Sequence, residues 1–268
     1  MHTREEKLEA FGRLLDVIDR LRVECPWDRK QTNESLRPNT IEEVYELCDA
    51  ILKDDANEMR KELGDVLMHT VFYAKMGEEK EHFDMADICN SECDKLIFRH
   101  PHIYGDVQAD TQEKVLQNWE QLKLKEKAGN KSVLSGVPAS LPSMIKAYRI
   151  QDKARNVGFD WKQKEDVWEK VKEEIGEFET ELKKMDTSGN AEDKARAEAE
   201  LGDLFFSIVN MARLYKLNPD TALEHTNQKF IKRFNYVEEH SIKAGKPLKD
   251  MSFEEMDALW DEAKKHNI

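Results

Sequence analysis

The sequence predicts an all-α protein built as a duplicated helical module. Three observations lead there. Apolar residues recur at helical spacing, and no segment sustains the period-two alternation of a half-buried strand. Only 7 prolines and 11 glycines occur in 268 residues, too few for a fold of many tight turns. Five groups of residues also recur in the same order in the two halves of the chain.

The elements follow in order. Leu8, Phe11, Leu14, Leu15, Ile18 and Leu21 trace one apolar face, which predicts a helix over 4–24. A second is predicted over 36–53, with Thr40 and Glu43 at the spacing of a capping box. Further helices are predicted over 55–78, 84–98 and 111–127. His100-Pro101-His102 reads as a loop ending a helix rather than as a metal site, because no third ligand stands nearby. The stretch AGNKSVLSGVPASLP is the richest in Gly, Ser and Pro, and it predicts a linker over 128–142. It divides an N-terminal lobe, 1–127, from a C-terminal lobe, 143–268. Helices are then predicted over 142–154, 164–185, 191–215, 219–240 and 252–266. Asp186 to Asn190 reads as a polar turn. Asn218-Pro219-Asp220 offers an N-cap, a proline at the first helical position and an early acid. Ser252 and Glu255 offer a second capping box.

Bulk properties exclude several function classes. The net charge is -13, which disfavours nucleic acid and anionic membrane surfaces as partners. It does not exclude an anionic small molecule, because a bound cation reverses the sign locally. The longest apolar run, near Leu204 to Val209, is far short of the roughly 20 residues that span a bilayer. The N-terminus lacks the apolar core of a signal peptide, and Cys25, Cys48, Cys89 and Cys93 form no CxxC. A cytoplasmic protein with reduced thiols is expected.

The repeat carries the chemistry. Asp28-Arg29-Lys30-Gln31 recurs as Asp160-Trp161-Lys162-Gln163, 132 residues on. Glu42-Glu43-Val44-Tyr45-Glu46 recurs as Glu173-Glu174-Ile175-Gly176-Glu177, and Glu62-Leu63-Gly64-Asp65 as Glu200-Leu201-Gly202-Asp203. Lys95 and Arg99 match Lys229 and Arg233, while Trp119 and Lys123 match Trp260 and Lys264. On a helix, residues three apart share a face. Glu174 and Glu177 therefore point one way, as do Glu200 and Asp203. Their helices are consecutive, joined by a short turn and expected to pack antiparallel. Four converging carboxylates repel one another unless cations lie between them. Carboxylate oxygens without thiolate or imidazole favour Mg²⁺ or Mn²⁺. A magnesium ion held this way takes phosphate oxygens, which points to phosphoryl chemistry. Lys229 and Arg233 can then offer charge to phosphates, and Trp260 with Lys264 can offer a stacking face and a cation. Gly64 and Gly202 stand mid-helix, where glycine costs about 1 kcal/mol relative to alanine. They suggest close helix approach or room for a ligand. No P-loop, GxGxxG, GxSxG or HExxH is present.

EExxE followed by ELGD resembles the MazG nucleoside triphosphate pyrophosphohydrolases of the all-α NTP pyrophosphatase superfamily. Cys25-Pro26-Trp27-Asp28, Arg99-His100-Pro101-His102 and Asn156-Val157-Gly158-Phe159-Asp160-Trp161 extend the resemblance over nearly the whole chain. It implies Mg²⁺-dependent cleavage of ribo- and deoxyribonucleoside triphosphates, ATP included, between the α and β phosphates. It implies a homodimer in which helix pairs from two chains form a four-helix-type bundle around each site. It implies hydrolysis in the C-terminal lobe, with Glu174, Glu177, Glu200 and Asp203 as metal ligands. Nucleotide contacts would come from Lys170, Val171, Lys172 and Glu173, from Arg196, Ala197, Glu198 and Ala199, and from Lys229, Arg233 and Trp260. Glu173 would orient the water. The loop before the second acidic helix departs from the family pattern, which weakens the carry-over at Arg196. The N-terminal copy keeps Glu43, Glu46, Glu62 and Asp65, so it offers a second site, catalytic or regulatory, or a dimerisation platform. Two alternatives stay open at the level of sequence: a non-catalytic helical dimer that senses nucleotides or binds a partner, and a hydrolase releasing orthophosphate.

Overall fold

The computed structural model describes residues 1–107, 111, 114, 115, 118, 119, 122, 132–161, 163–243 and 245–266. Most of the helix expected over 111–127 lies outside these residues, with Lys123, Lys162 and the start of the expected linker. The described residues are all helix, turn and loop, and they fall into two compact units, Met1–Gln108 and Ala109–Ile268. No helix among them is long and apolar enough to cross a membrane.

In the N-terminal unit α1 runs over Arg4–Glu24, closed at its start by a Thr3–Glu6 capping box. After a 3₁₀ turn at Asp28–Lys30 come α2, Asn33–Leu52, and α3, Ala56–Glu78. Helix α4 covers Met85–Arg99, and Pro101 opens the single turn α5, Pro101–Tyr104. Helix α2 begins three residues before its expected start, on a Thr32–Ser35 capping box, and Thr40 is an interior residue. Pro38 lies inside α2, one turn beyond its start, where its missing N–H removes one bond of the ladder. Thr40 Oγ1 donates to the Leu36 carbonyl at 3.0 Å, and it lies 3.0 Å from His69 Nδ1 and 2.7 Å from Tyr73 Oη.

Helices α2 and α3 pack along heptad stripes. On α2 the inward positions are Leu36, Thr40, Glu43, Leu47 and Ala50, and on α3 they include Glu62, His69 and Met76. Ile18, Leu36, Val71, Phe72 and Met76 form the core, with Phe11, Leu14, Leu15, Met68, Tyr73 and Met85 packed around them. The apolar face expected on α1 thus seats its middle, while Leu8 and Leu21 stay exposed.

The C-terminal unit holds α6, Ser143–Asn156, α7, Lys164–Ser188, α8, Ala191–Leu214, α9, Pro219–Lys243, and α10, Phe253–Lys265. The turn expected over Asp186 to Asn190 is shorter than its composition suggests. Helix α7 continues through Ser188, Gly189 takes the left-handed conformation at φ 61°, and Asn190 already caps α8. So short a link forces α7 and α8 antiparallel. Val167, Val171, Glu174, Phe178 and Glu181 form the inward stripe of α7, and Asp193, Ala197, Glu200, Leu204 and Ser207 that of α8. Asn218 Oδ1 accepts from the Asp220 and Thr221 amides, and a Ser252–Glu255 box caps α10, both as expected.

Candidate active site

The stripe that buries Val167 and Val171 also carries Glu174 inward, because four and then three residues make two helical turns. The same period on α8 aims Glu200 at it. Oxygens of Glu174, Glu177 and Glu200 lie within 4.8 Å of one another. Glu174 is buried, Glu177 exposed and Glu200 intermediate. Asp203 stands one turn beyond Glu200, is exposed and, with Glu174, lines the adjoining cavity. Partial burial and the charges of Glu177, Asp203, Glu174 and Glu181 together push the Glu200 carboxyl above its ordinary pKa.

The N-terminal unit repeats the arrangement. Oxygens of Glu43, Glu62 and Asp65 lie within 4.8 Å of one another. Burial, then Asp65, Glu46 and Glu62, raise Glu43, and Glu62 is the first cause of a raised Glu46. Each buried glutamate holds one lysine. Lys61 Nζ is 2.8 Å from Glu62 Oε1, and Lys170 Nζ is 2.7 Å from Glu174 Oε1. Glu62 Oε2 is buried with no hydrogen-bond partner. A cluster of like charges with raised pKa and an orphaned buried oxygen lacks a positive charge.

Lys170 also donates to Glu173 at 3.1 Å, and these two carboxylates raise its pKa. Glu173 itself is exposed. Val171 and Ala197 are core residues whose side chains face no solvent. Lys172 pairs with Glu169, Glu198 pairs with Lys194, and Ala199 is exposed. Arg196 is held by Glu181, Glu192 and Asp193 at the α7–α8 turn. Lys229 is exposed on α9, Lys264 pairs with Asp261, and Arg233 lies over the Trp260 ring, which also packs on Phe230. None of these last four residues lines the cavity. A Cβ added at Gly64 or Gly202 meets nothing within 4 Å, so among the described residues neither glycine marks a close helix approach.

The cavity measures about 750 Å³ and opens beside the acidic cluster, with Lys170, Glu174 and Asp203 at that end. Phe159, Trp161 and Phe206 supply aromatic walls, and Gln151, Ser207 and Asn210 supply polar ones. An ion pair anchors the loop that carries Phe159 and Trp161. Arg213, 4% exposed, donates two hydrogen bonds to Asp160 and two more, at 3.2 and 2.8 Å, to Asn210 Oδ1. Sequence reasoning noted Asp160 as a repeat of Asp28 and as part of the Asn156 to Trp161 stretch of the family resemblance, and it missed Gln151, Asn210 and Arg213. One available signal was the presence of Asn210 and Arg213 within the otherwise apolar stretch Val209 to Leu214.

Comparison with known proteins assigns the family. The MazG nucleotide pyrophosphohydrolase domain matches residues 31–104 and again residues 162–238. The chain belongs to the MazG nucleotide pyrophosphohydrolase family, a family of hydrolases. Both acidic clusters fall inside the two MazG matches. A nucleoside triphosphate pyrophosphohydrolase of Escherichia coli K12 is 41% identical over 266 residues, covering 97% of this chain and 99% of that protein. A Thermotoga maritima protein named nucleoside triphosphate pyrophosphohydrolase/pyrophosphatase MazG is 40% identical over 95% of each chain. The uncharacterized protein YabN of Bacillus subtilis is 43% identical over 97% of this chain and 53% of its own length.

Proposed function

We propose that this chain hydrolyses nucleoside triphosphates, ribo- and deoxyribo-, ATP included, to the nucleoside monophosphate and pyrophosphate, with Mg²⁺ as cofactor and Mn²⁺ as a substitute. The observation that carries the reading is the convergence of Glu174, Glu177 and Glu200 at the mouth of a cavity sized for a small ligand. The donor set fits the ion: all its oxygens are carboxylate oxygens, and burial together with their mutual repulsion raises Glu200. Glu174, Glu177, Glu200 and Asp203 would hold it. When bound, Mg²⁺ supplies the positive charge that polyphosphate oxygens require.

The chain's own residues do the rest. Lys170, at the cavity edge, sets a positive charge beside the acids where an anionic substrate must pass. Glu173 is free of the core and one residue before the first ligand, which suits it to accept a proton from the attacking water. Lys229, Arg233, Trp260 and Lys264 form no part of the cavity wall, and their role in this reading rests on the family resemblance alone.

The reading includes a homodimer. Phe205, Phe206 and Ile208 on α8, and Leu63 and Leu67 on α3, are exposed beside the acidic positions. Exposed apolar residues of this kind, on one acidic helix of each unit, are what a second helix pair would cover. Light scattering at several concentrations checks it, and a monomer throughout would remove this part.

The test of the activity is incubation with a panel of NTPs and dNTPs plus Mg²⁺, with nucleotide and phosphate products resolved. Monophosphate and pyrophosphate are expected, lost in Glu174→Ala and Asp203→Ala while the helical circular dichroism persists. Orthophosphate as the product would overturn the cleavage position. Full activity in both variants would overturn the site.

A further inference from the structure

Each acidic cluster holds one ammonium group, and the two lysines come from different places in the repeat. Lys170 Nζ is 2.7 Å from Glu174 Oε1, and Lys61 Nζ is 2.8 Å from Glu62 Oε1. Aligned on Glu174 and Glu43, Lys170 falls opposite Asn39. Aligned on Glu200 and Glu62, Lys61 falls opposite Ala199. Lys170 stands on α7, the first acidic helix of its pair, and Lys61 on α3, the second of the other. The contact therefore does not descend from one duplicated residue. In each unit it falls on the most buried acid of the cluster, where an ammonium offsets the largest desolvation and repulsion.

Lys170 is not held as a fixed ion pair is. Its side chain is 36% exposed and that of Glu174 only 7%, so the ammonium reaches the buried carboxylate from the solvent side, on a flexible stem. It has a second partner outside the cluster, Glu173 Oε1 at 3.1 Å, on an exposed side chain. It also lines the cavity beside the acids. The carboxylate it holds is the one that a divalent ion shared with Glu177 and Glu200 requires. A single and a double positive charge on one buried carboxylate repel strongly, because the low local dielectric magnifies their interaction.

We propose that Lys170 is a displaceable counter-ion: it neutralises Glu174, yields that carboxylate to the divalent ion, and turns its charge toward Glu173 and the cavity mouth, where the substrate's polyphosphate meets it. The proposal rests on the hydrolase reading for its metal and substrate, and it adds a coupling between them. Lys170 lowers the affinity for the ion alone and raises the affinity for ion and polyphosphate together, so each ligand strengthens the other.

Mn²⁺ binding to the full chain, followed by loss of the free-ion electron paramagnetic resonance signal, tests this. Glu200→Ala is the blank for ions bound elsewhere on the chain. Lys170→Met keeps the stem and removes the charge, and Lys170→Arg keeps the charge. Lys183→Met removes a charge from an exposed position further along the same helix. Without nucleotide, Lys170→Met should bind Mn²⁺ about tenfold more tightly than the wild type. Lys170→Arg should stay within about threefold of the wild type, and Lys183→Met should match it. The non-cleavable α,β-methylene-ATP should tighten Mn²⁺ binding in the wild type, and this coupling factor should fall about tenfold in Lys170→Met. Should Lys170→Met fail to fold, Lys170→Gln, which can still donate to Glu174, carries the same expectations. Equal or weaker Mn²⁺ binding without the lysine's charge would overturn the proposal, because a lysine that merely supports the site costs affinity when it is removed. An unchanged coupling factor would overturn it too. If neither the wild type nor Lys170→Met binds more Mn²⁺ than Glu200→Ala, the metal assignment fails and the proposal falls with it. The expected binding pattern in a chain that releases no pyrophosphate from NTPs overturns the hydrolase reading and leaves the counter-ion standing.

Discussion

Asp160→Ala tests the buried ion pair that ties the cavity loop to α8. Arg213 is 4% exposed on its side chain and Asp160 19%. The guanidinium makes two bonds to the carboxylate and two to Asn210. Asp160 Oδ1 also accepts the Trp161 amide at 2.9 Å. Removing the carboxylate leaves a desolvated cation with a neutral amide oxygen as its remaining acceptor. Breaking a buried pair from one side costs about 3–5 kcal/mol. At a urea m-value of about 2 kcal/mol/M, the midpoint of the C-terminal unit should fall by roughly 2 M. Asp160→Asn/Arg213→Met removes both charges and should recover much of that loss, because no unpaired charge remains. Urea titrations followed by tryptophan fluorescence and circular dichroism read the three proteins. In the same variants KM should rise more than kcat falls, since the loop bearing Phe159 and Trp161 forms walls and contains none of the acids. A midpoint shift in Asp160→Ala under about 0.5 M, far below what a desolvated charge costs, with a double variant no better, would refute the reasoning.

Arg22→Ala removes the bonds to Asp28, Gln31 and Glu79 that join α1, the following turn and the end of α3. It should cost roughly 2–3 kcal/mol by urea titration, and a wild-type midpoint would show the network to be idle. The Arg22 hydrogen bond is the first cause holding Glu79 below the usual carboxylate range. Glu79 therefore binds its proton less readily in the folded than in the unfolded chain, so its contribution is complete above the unfolded pKa and fades as pH falls through the depressed folded one. Acid titration of stability should show this loss below about pH 4.5 in the wild type and a shallower slope in Arg22→Ala. Gly77→Ala places a Cβ 2.8 Å from the Phe83 carbonyl oxygen and 2.6 Å from its ring, and should cost about 1–3 kcal/mol in thermal or urea melts. Gly202→Ala meets nothing within 4 Å and should gain up to about 1 kcal/mol in the isolated chain. It should nonetheless lower kcat/KM, and an unchanged value would show that the open space at Gly202 serves no ligand or partner.

Period and caps made most of the fold legible. A long helix with an unbroken apolar stripe, such as α1, declares itself because each heptad repeats the same evidence. The start of α2 was misread because Thr-x-x-Glu at Thr40 mimics a capping box, while the real cap uses Ser35. The acids were legible because they come in i, i+3 pairs and occur twice. Gln151, Asn210 and Arg213 were not, because a polar residue inside a helical stripe gains meaning only when its neighbours across the packing are known. Repeat offsets could have flagged them, had positions that differ between copies been read as closely as those that match.

Three features of the acidic region each work against an isolated chain. Burial and gathered like charges make Glu200 hold its proton more tightly than a free carboxyl. A glycine stands mid-helix with open space over it. Phe205 and Phe206 face solvent beside it. Any one of these is tolerable on a marginally stable fold, and such lapses from local consistency collect where something else completes the structure. The three deficits differ in kind: one asks for positive charge, one for volume, one for apolar cover. A cation answers only the first, a substrate the second, and a second copy of the helix pair the third. The N-terminal copy shows the first deficit at Glu43 and Glu62, the second at Gly64 and the third at Leu63 and Leu67. Both copies thus carry the acids and exposed apolar residues beside them, an arrangement that a cation and a second helix pair would complete on the proposed reading.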